Sequence, residues 1–305
     1  MGKILNFGSV NIDHVYAVPH FVRPGETIAS AKYSVFSGGK GFNQSTALAR
    51  AGADICHAGK IGADGVWLRD ALKADGADVS RLLVCDSPTG HAIIQVDATG
   101  QNCIIIEGGA NRAITANDAA SALEGLGEGD VLLIQNEISA LPEIMRLAAS
   151  RGMKIVFNPA PMAPEVKGYP LDLVSVFIVN EVEAGELSGV DLAERGQDAV
   201  LAAMKKKFPH AGIVLTLGSQ GSVAVFGDEK IFVPSRKVAA VDTTAAGDTY
   251  IGYLLAGLQR GCGLKTAMEE ATVASAICVT RPGAAPSIPA RAEIKAFLSG
   301  DACLG

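Results

Sequence analysis

Along this chain, short runs of nearly unbroken apolar residues alternate with longer stretches in which apolar positions recur every three or four residues. From about residue 110 onward the order is Val131–Gln135, Leu141–Ser150, Lys154–Asn158, Val176–Val179, 197–208 and 213–217. The short runs read as strands and the periodic stretches as helices. Such alternation predicts an α/β chain with a mostly parallel sheet, and strands that are apolar on both sides predict helices covering both faces. Lys3-Ile4-Leu5-Asn6-Phe7 supplies one more strand at the start. Two regions break the pattern, about 13–36 and 89–107: the second holds strands at 91–96 and 102–106 around a Thr99-Gly100 turn, with no helix between them. These predict a small separate sheet lying over the larger body as a lid. The last third carries helices at 249–259 and 264–279, a Pro/Gly segment at 281–289 and a final short helix. No repeat or long linker divides the chain, so 1–305 reads as one domain.

Composition narrows the function. With 305 residues and 49% hydrophobic content, the chain can bury a large core. A net charge of −6, with no basic cluster beyond Lys205-Lys206-Lys207, gives no footprint for nucleic acid. Cys56, Cys85, Cys103, Cys262, Cys278 and Cys303 show no C-x-x-C pairing, and His14, His20, His57, His91 and His210 no metal-ligand spacing. Neither a disulfide framework, a zinc site nor a Ser or Cys nucleophile motif is suggested. No apolar run reaches membrane-spanning length and no signal-peptide pattern precedes the first strand, so the expectation is a cytoplasmic protein with no membrane or nucleic-acid partner.

The chemistry concentrates at strand ends. In Val241-Asp242-Thr243-Thr244-Ala245-Ala246-Gly247-Asp248-Thr249-Tyr250, small residues open a helix N-terminus where backbone N–H groups can meet an anion. Asp248 then stands where a carboxylate can take the proton of an attacking hydroxyl, or serves as an ordinary helix cap. Asn11 and Asp13, two apart in an extended segment, project the same way and suit a hydroxyl-rich ligand, or else build a turn. Ser37-Gly38-Gly39-Lys40-Gly41-Phe42-Asn43-Gln44 permits close backbone approach and sets Asn43 in the first turn of a helix, but its spacing is neither that of a P-loop nor of a dinucleotide fingerprint. Glu137 ends a buried strand and needs donors. Asn180-x-x-Glu183 has capping-box spacing. Thr216-Leu217-Gly218-Ser219-Gln220-Gly221 is a strand end and tight turn, able to lie along a nucleotide or to form a hairpin into 222–226.

Taken together, Gly8-Ser9-Val10-Asn11-Ile12-Asp13-His14, Pro24-Gly25-Glu26-Thr27, Gly38-Gly39-Lys40-Gly41-x-Asn43-Gln44, Gly108-Gly109-Ala110-Asn111, Asn158-Pro159-Ala160-Pro161, Asn180-Glu181-x-Glu183-Ala184, Thr216-Leu217-Gly218-Ser219-x-Gly221 and Asp242-Thr243-x-Ala245-Ala246-Gly247-Asp248-Thr249 resemble the ribokinase family of PfkB-type carbohydrate kinases over essentially the whole chain. The resemblance implies a three-layer α/β/α fold with a β-sheet lid, and ATP-dependent phosphorylation of the primary hydroxyl of a pentose, D-ribose to D-ribose 5-phosphate. It implies Asp248 as general base with Ala245, Ala246 and Gly247 as anion hole, and Asn11, Asp13, Gly39, Lys40, Asn43 and Glu137 around the sugar. ATP would meet Asn180, Thr216, Gly218, Ser219, Gly221 and Gly247, with Thr272 near the adenine. Glu183 would organise water around Mg²⁺, and K⁺ would be held by Asp242, Thr244, Cys278, Arg281, Gly283 and Ser287, largely through carbonyls. It further implies a homodimer joined through the lids. His91 and Gln95 in the lid, Glu107, Phe42 and Thr244 depart from the family's usual residues, leaving 2-deoxyribose, a ketohexose such as fructose, or a nucleoside as other acceptors. With only 5% aromatics, few of them expected near the lid, a free sugar is favoured over a nucleoside. A non-catalytic sugar or nucleotide sensor is the rival of another class.

Overall fold

The computed structural model describes residues 2–299; Cys303 lies outside them. In chain order the first half runs β1 (Ile4–Phe7), β2 (Asn11–Ala17), β3 (Lys32–Gly38), α1 (Lys40–Arg50), β4 (Ile55–Ile61), α2 (Val66–Ala74), β5 (Asp78–Val84), β6 (Gly90–Val96), β7 (Asn102–Glu107) and α3 (Ala116–Ala122). There follow β8 (Val131–Gln135), α4 (Leu141–Ser150), β9 (Lys154–Asn158), β10 (Val176–Val179), α5 (Glu181–Ser188), α6 (Leu192–Lys207) and β11 (Gly212–Thr216). The chain continues through β12 (Gly221–Phe226), β13 (Glu229–Pro234), α7 (Ala246–Gln259), α8 (Leu264–Cys278) and α9 (Arg291–Ser299).

The large sheet has the order β13-β12-β11-β10-β9-β8-β1-β4-β5, parallel from β11 to β5, with antiparallel β11–β12 and β12–β13 pairings at one edge. Successive residues of each strand feed opposite layers. Ile4, Val131, Leu133, Ile178 and Val214 pack under α1, α2, α7 and α8, while Leu5, Leu132, Ile134, Phe177 and Ile213 pack under α3, α4, α5 and α6. That gives the three-layer α/β/α architecture, with two separate apolar cores. Strand succession reverses direction about β1, which sits between β8 and β4, so a crevice opens beyond the carboxyl ends of β1 and β8.

The small sheet, β3-β2-β6-β7, combines the two regions expected to pair: β2 and β6, far apart in sequence, lie parallel, with Asn11 opposite Gly90 and Asp13 opposite Ala92. Aromatic residues are more frequent in it than the composition suggested. Tyr16 pairs with Tyr33, and His14 stacks on Tyr33 with its Nδ1 2.7 Å from the Tyr33 hydroxyl, all on the face opposite Asp13. Phe36, directly across from Asp13, is on Asp13's own face. Among the described residues, no helix is long and apolar enough to cross a membrane.

Candidate active site

The loops after β1 and β8 and the start of α1 meet at the crevice. Glu137, just beyond β8, accepts hydrogen bonds from the Ser9 hydroxyl after β1 and from the Lys40 backbone N–H at the first residue of α1 (2.9 Å), fastening three segments to one carboxylate. Asn11 is buried, and its Oδ1 accepts from Asn111 Nδ2 at 2.8 Å, which turns the Asn11 amide nitrogen outward. Asp13 lies two residues on. Burial, reinforced by the charge of Glu137, pushes its carboxyl up to about 7 from an ordinary 3.8. Gly38 faces Asp13 because a Cβ there would stand 2.1 Å from Asp13 Oδ2. The charge of Lys40 is favoured chiefly by Asp248, against the cost of its own burial, with Glu137 and Glu183 adding to it.

Asp248 stands in the first turn of α7 and is only 7% exposed. Both of its oxygens are held from α1: Asn43 Nδ2 donates to Oδ2 at 3.0 Å and Gln44 Nε2 to Oδ1 at 2.9 Å. Ala245, immediately before the helix, is left-handed (φ 59°), a strained setting for a residue with a Cβ. Gly247 is exposed, and a Cβ built on it would find nothing within 4 Å. As the second and third residues of the helix, Gly247 and Asp248 have backbone N–H groups without helical acceptors. Open space, free amides and the positive end of the helix dipole together fit an anion.

On the far side of the crevice, Asn180 and Glu183 form a complete capping box. Glu183 N–H donates to Asn180 Oδ1 (2.9 Å), Asn180 N–H to Glu183 Oε2 (3.0 Å) and Asn180 Nδ2 to Glu183 Oε1 (2.9 Å). Burial raises the Glu183 carboxyl pKa, opposed by the Asn180 bond and Lys40, and aided by Asp248. Since protein donors already engage both of its oxygens, Glu183 fits a divalent cation through water rather than by direct ligation. The 216–221 segment makes the hairpin: Leu217 N–H donates to the Gly221 carbonyl at 2.8 Å. Gly221 (φ 116°) is needed by that turn, since a Cβ would strike the Val233 carbonyl. Gly218 and Ser219 are exposed at its tip, and the Thr216 hydroxyl is bonded to the Val179 carbonyl at 3.3 Å. Thr272 is buried on α8, with its hydroxyl turned to the Met268 carbonyl (2.8 Å).

The loops 242–245 and 279–287 are stitched together beside α7. Asp242 Oδ1 accepts from the Thr244 N–H (2.9 Å) and hydroxyl (2.6 Å), and Oδ2 from Gly283 N–H (2.9 Å). Burial opposes ionisation of Asp242, but these bonds outweigh it and hold the carboxyl below the usual range. Cys278 Sγ lies 3.0 Å from Ser287 Oγ and 3.7 Å from the Thr244 carbonyl. Arg281 joins through its backbone N–H to the Cys278 carbonyl (3.1 Å), while its guanidinium turns away to Glu293. One ionised carboxylate with neighbouring carbonyl and hydroxyl oxygens suits a hard monovalent cation.

Sequence reading gave no role to Asn6, Ser9, Gln44, Asn111, Gln135 or Asn158, all of them buried. A signal was present. Asn6, His57, Gln135 and Asn158 interrupt otherwise apolar strands, and registration places Asn6 beside His57 and Gln135 beside Asn158 on the face covered by α1 and α7. Polar residues so placed must find partners.

The family model for "pfkB family carbohydrate kinase" matches residues 1–291. A ribokinase of Haemophilus influenzae is 36% identical over 299 residues, covering 95% of this chain and 96% of that protein. The structure of Cryptococcus neoformans ribokinase in complex with ADP aligns with a TM-score of 0.84 at 34% identity, covering 97% of this chain and all (100%) of that one. Arabidopsis thaliana ribokinase complexed with ribose and ATP aligns with a TM-score of 0.85 at 26% identity, covering 97% and 98% of the two chains.

Proposed function

The chain belongs to the pfkB family of carbohydrate kinases, and from that premise we propose that it transfers the terminal phosphoryl group of ATP to the primary hydroxyl of D-ribose, giving D-ribose 5-phosphate and ADP. The observation that carries this reading is the placement of Asp248, buried at the open, amide-rich start of α7 and bonded to the helix that follows the polyol-facing segment.

Asp248 accepts the proton of the ribose 5-hydroxyl as that oxygen bonds to the terminal phosphorus of ATP, and the bond from phosphorus to the bridging oxygen of ADP breaks. The amides around Ala245, Ala246 and Gly247 stabilise charge on the moving group, and Lys40 adds a positive charge nearby. Asn11, Asp13, Gly39, Lys40, Asn43 and Glu137 orient the sugar. Asn43 Oδ1 is a buried acceptor without a protein donor, a place for a sugar hydroxyl. Asn180, Thr216, Gly218, Ser219, Gly221 and Thr272 border the nucleotide. A divalent cation bound with ATP supplies phosphate charge neutralisation, with Glu183 ordering its water. Potassium is the natural occupant of the Asp242 cluster, which adjoins the α7 start through Thr244, whose carbonyl lies 3.7 Å from Cys278 Sγ.

The whole of 1–305 acts as one cytoplasmic domain in this reading, with the lid excluding water that would compete as acceptor. Tyr33, Val35, Ile93 and Ile105 are exposed on the lid face away from Asp13, an apolar surface suited to a second copy's lid. Phe36 favours a nucleoside as the second reading, because it offers one aromatic surface on the substrate face. Phosphorylation assays with ribose, 2-deoxyribose, fructose and nucleosides, with and without K⁺, distinguish these. Ribose preference is expected, and Asp248→Asn is expected to lose roughly 10²- to 10⁴-fold in rate. Nucleotide binding without turnover on any acceptor would instead establish a sensor.

A further inference from the structure

Behind Asp248 a hydrogen-bonded path of amide side chains runs through the polar band of the sheet, and the reaction as described gives it no task. Gln44 is its branch point. Its Nε2 donates to Asp248 Oδ1 (2.9 Å) and Asn158 Oδ1 (3.2 Å), and its Oε1 accepts from Gln135 Nε2 (2.6 Å). The same Gln135 nitrogen donates to Asn6 Oδ1 at 2.9 Å, and Asn6 Nδ2 donates to the Gly41 carbonyl at 2.8 Å. Asn158 Nδ2 donates to the Ile178 carbonyl (3.0 Å) and reaches Glu183 Oε2 (3.4 Å).

Each amide in this path has only one workable orientation. Main-chain carbonyls at the two ends, Gly41 and Ile178, accept only, so they fix Asn6 and Asn158 with their nitrogens toward them. Asn6 and Asn158 then present oxygens inward, which fixes Gln135 and Gln44 as donors. A reversed Gln44 would set its oxygen against Asp248 and Asn158 Oδ1, three acceptors in a buried place. Gln135 Oε1 is left without a partner, the cost of committing its nitrogen to two acceptors.

We propose that Gln44 is the positioning residue of the general base: its orientation-locked amide, together with Asn43, holds the Asp248 carboxylate aimed at the acceptor hydroxyl. This rests on the reading of Asp248 as the base. Lys40 from α1, Glu183 from α5 and Cys278 from α8 also bear electrostatically on Asp248, and a change at Gln44 alone leaves all three in place.

The test compares kcat–pH profiles and both Michaelis constants for the wild type, Gln44→Met and Gln44→Glu, with Asp248→Asn measured alongside. Methionine keeps the length of the side chain and removes the donors. Gln44→Met is expected to lower kcat about 10- to 100-fold, the scale of one hydrogen bond to a charged group, with both KM values within about threefold of wild type. The acid limb of its profile is expected to move to higher pH, an effect that a merely structural role would not produce. Glutamate is nearly isosteric and places a second carboxylate against the first, so if the methionine variant does not fold, the same upward move is expected of Gln44→Glu. A folded variant with wild-type kcat and acid limb overturns the inference while Asp248→Asn stays inactive. If Asp248→Asn retains activity, the base assignment fails first and this inference with it.

Discussion

Among single residues, Asp13 gives the sharpest expectation. Its carboxyl is pushed up to about 7 by burial and then by Glu137, so between about pH 4 and 7 the folded protein keeps a proton that the unfolded chain releases. The stability contributed by this group is therefore complete below the ordinary carboxyl pKa and is lost as pH rises through about 7. Sugar hydroxyls would supply the donors that the ionised form lacks. Ribose binding is accordingly expected to release a proton near pH 7 and to tighten as pH rises, which calorimetry in buffers of different ionisation enthalpy measures; Asp13→Asn should abolish the proton release. Absence of proton release in the wild type would show that Asp13 does not meet the sugar.

Elements show where pattern reading succeeded and where it stopped. Val131–Gln135, Leu141–Ser150, Lys154–Asn158 and Val176–Val179 agree with the sequence reading residue for residue, because each is a clean run of one period. The helix expected from 197 begins at Leu192, capped by Asp191, and is interrupted at Gly196 (φ 77°), so the periodic part seen in the sequence is the segment after the break. The helix expected from 249 begins at Ala246, because left-handed Ala245 turns the chain into it early. In the candidate site, Glu137 was legible because charge at the end of an apolar strand is conspicuous, and Asp248 because a run of small residues precedes it at a helix start. The amide path behind Asp248 was not, since Gln44 and Asp248 are 204 residues apart and Gln135 and Asn6 are 129 apart, and only the fold joins them. The start of α5 separates capping from ligand contact. Asn180→Ala is expected to cost about 1 kcal/mol in denaturant unfolding, whereas Asn180→Ser keeps a cap and most of that stability. If ATP affinity falls in both variants alike, Asn180 meets the nucleotide; if it falls only in the alanine variant, the effect is that of the cap.

At the scale of the whole molecule, the lid carries two different surfaces, one toward the crevice and one outward. The outward one includes Ile105, 61% exposed beside the unpaired edge of β7. If two copies join through this surface as proposed, the wild type is expected to sediment as a dimer and Ile105→Lys as a monomer; a monomeric wild type, or a variant of unchanged dimeric mass, would overturn the lid interface. The lid's attachment has a further consequence. Asn11, where β2 begins, pairs with Gly38, where β3 ends, and with Gly90, where β6 begins; Glu107, the end of β7, pairs with His91 one residue along. All four passages of the chain between the two sheets thus fall along one end of the small one. A plate pinned along a single edge has one soft rotation and resists twisting or sliding. Asn11 stands on that line and Asp13 one step out from it, so a rotation about it would move these two proposed sugar contacts little while the outer strand ends swept widely, and the mouth would open with the proposed recognition groups kept in register.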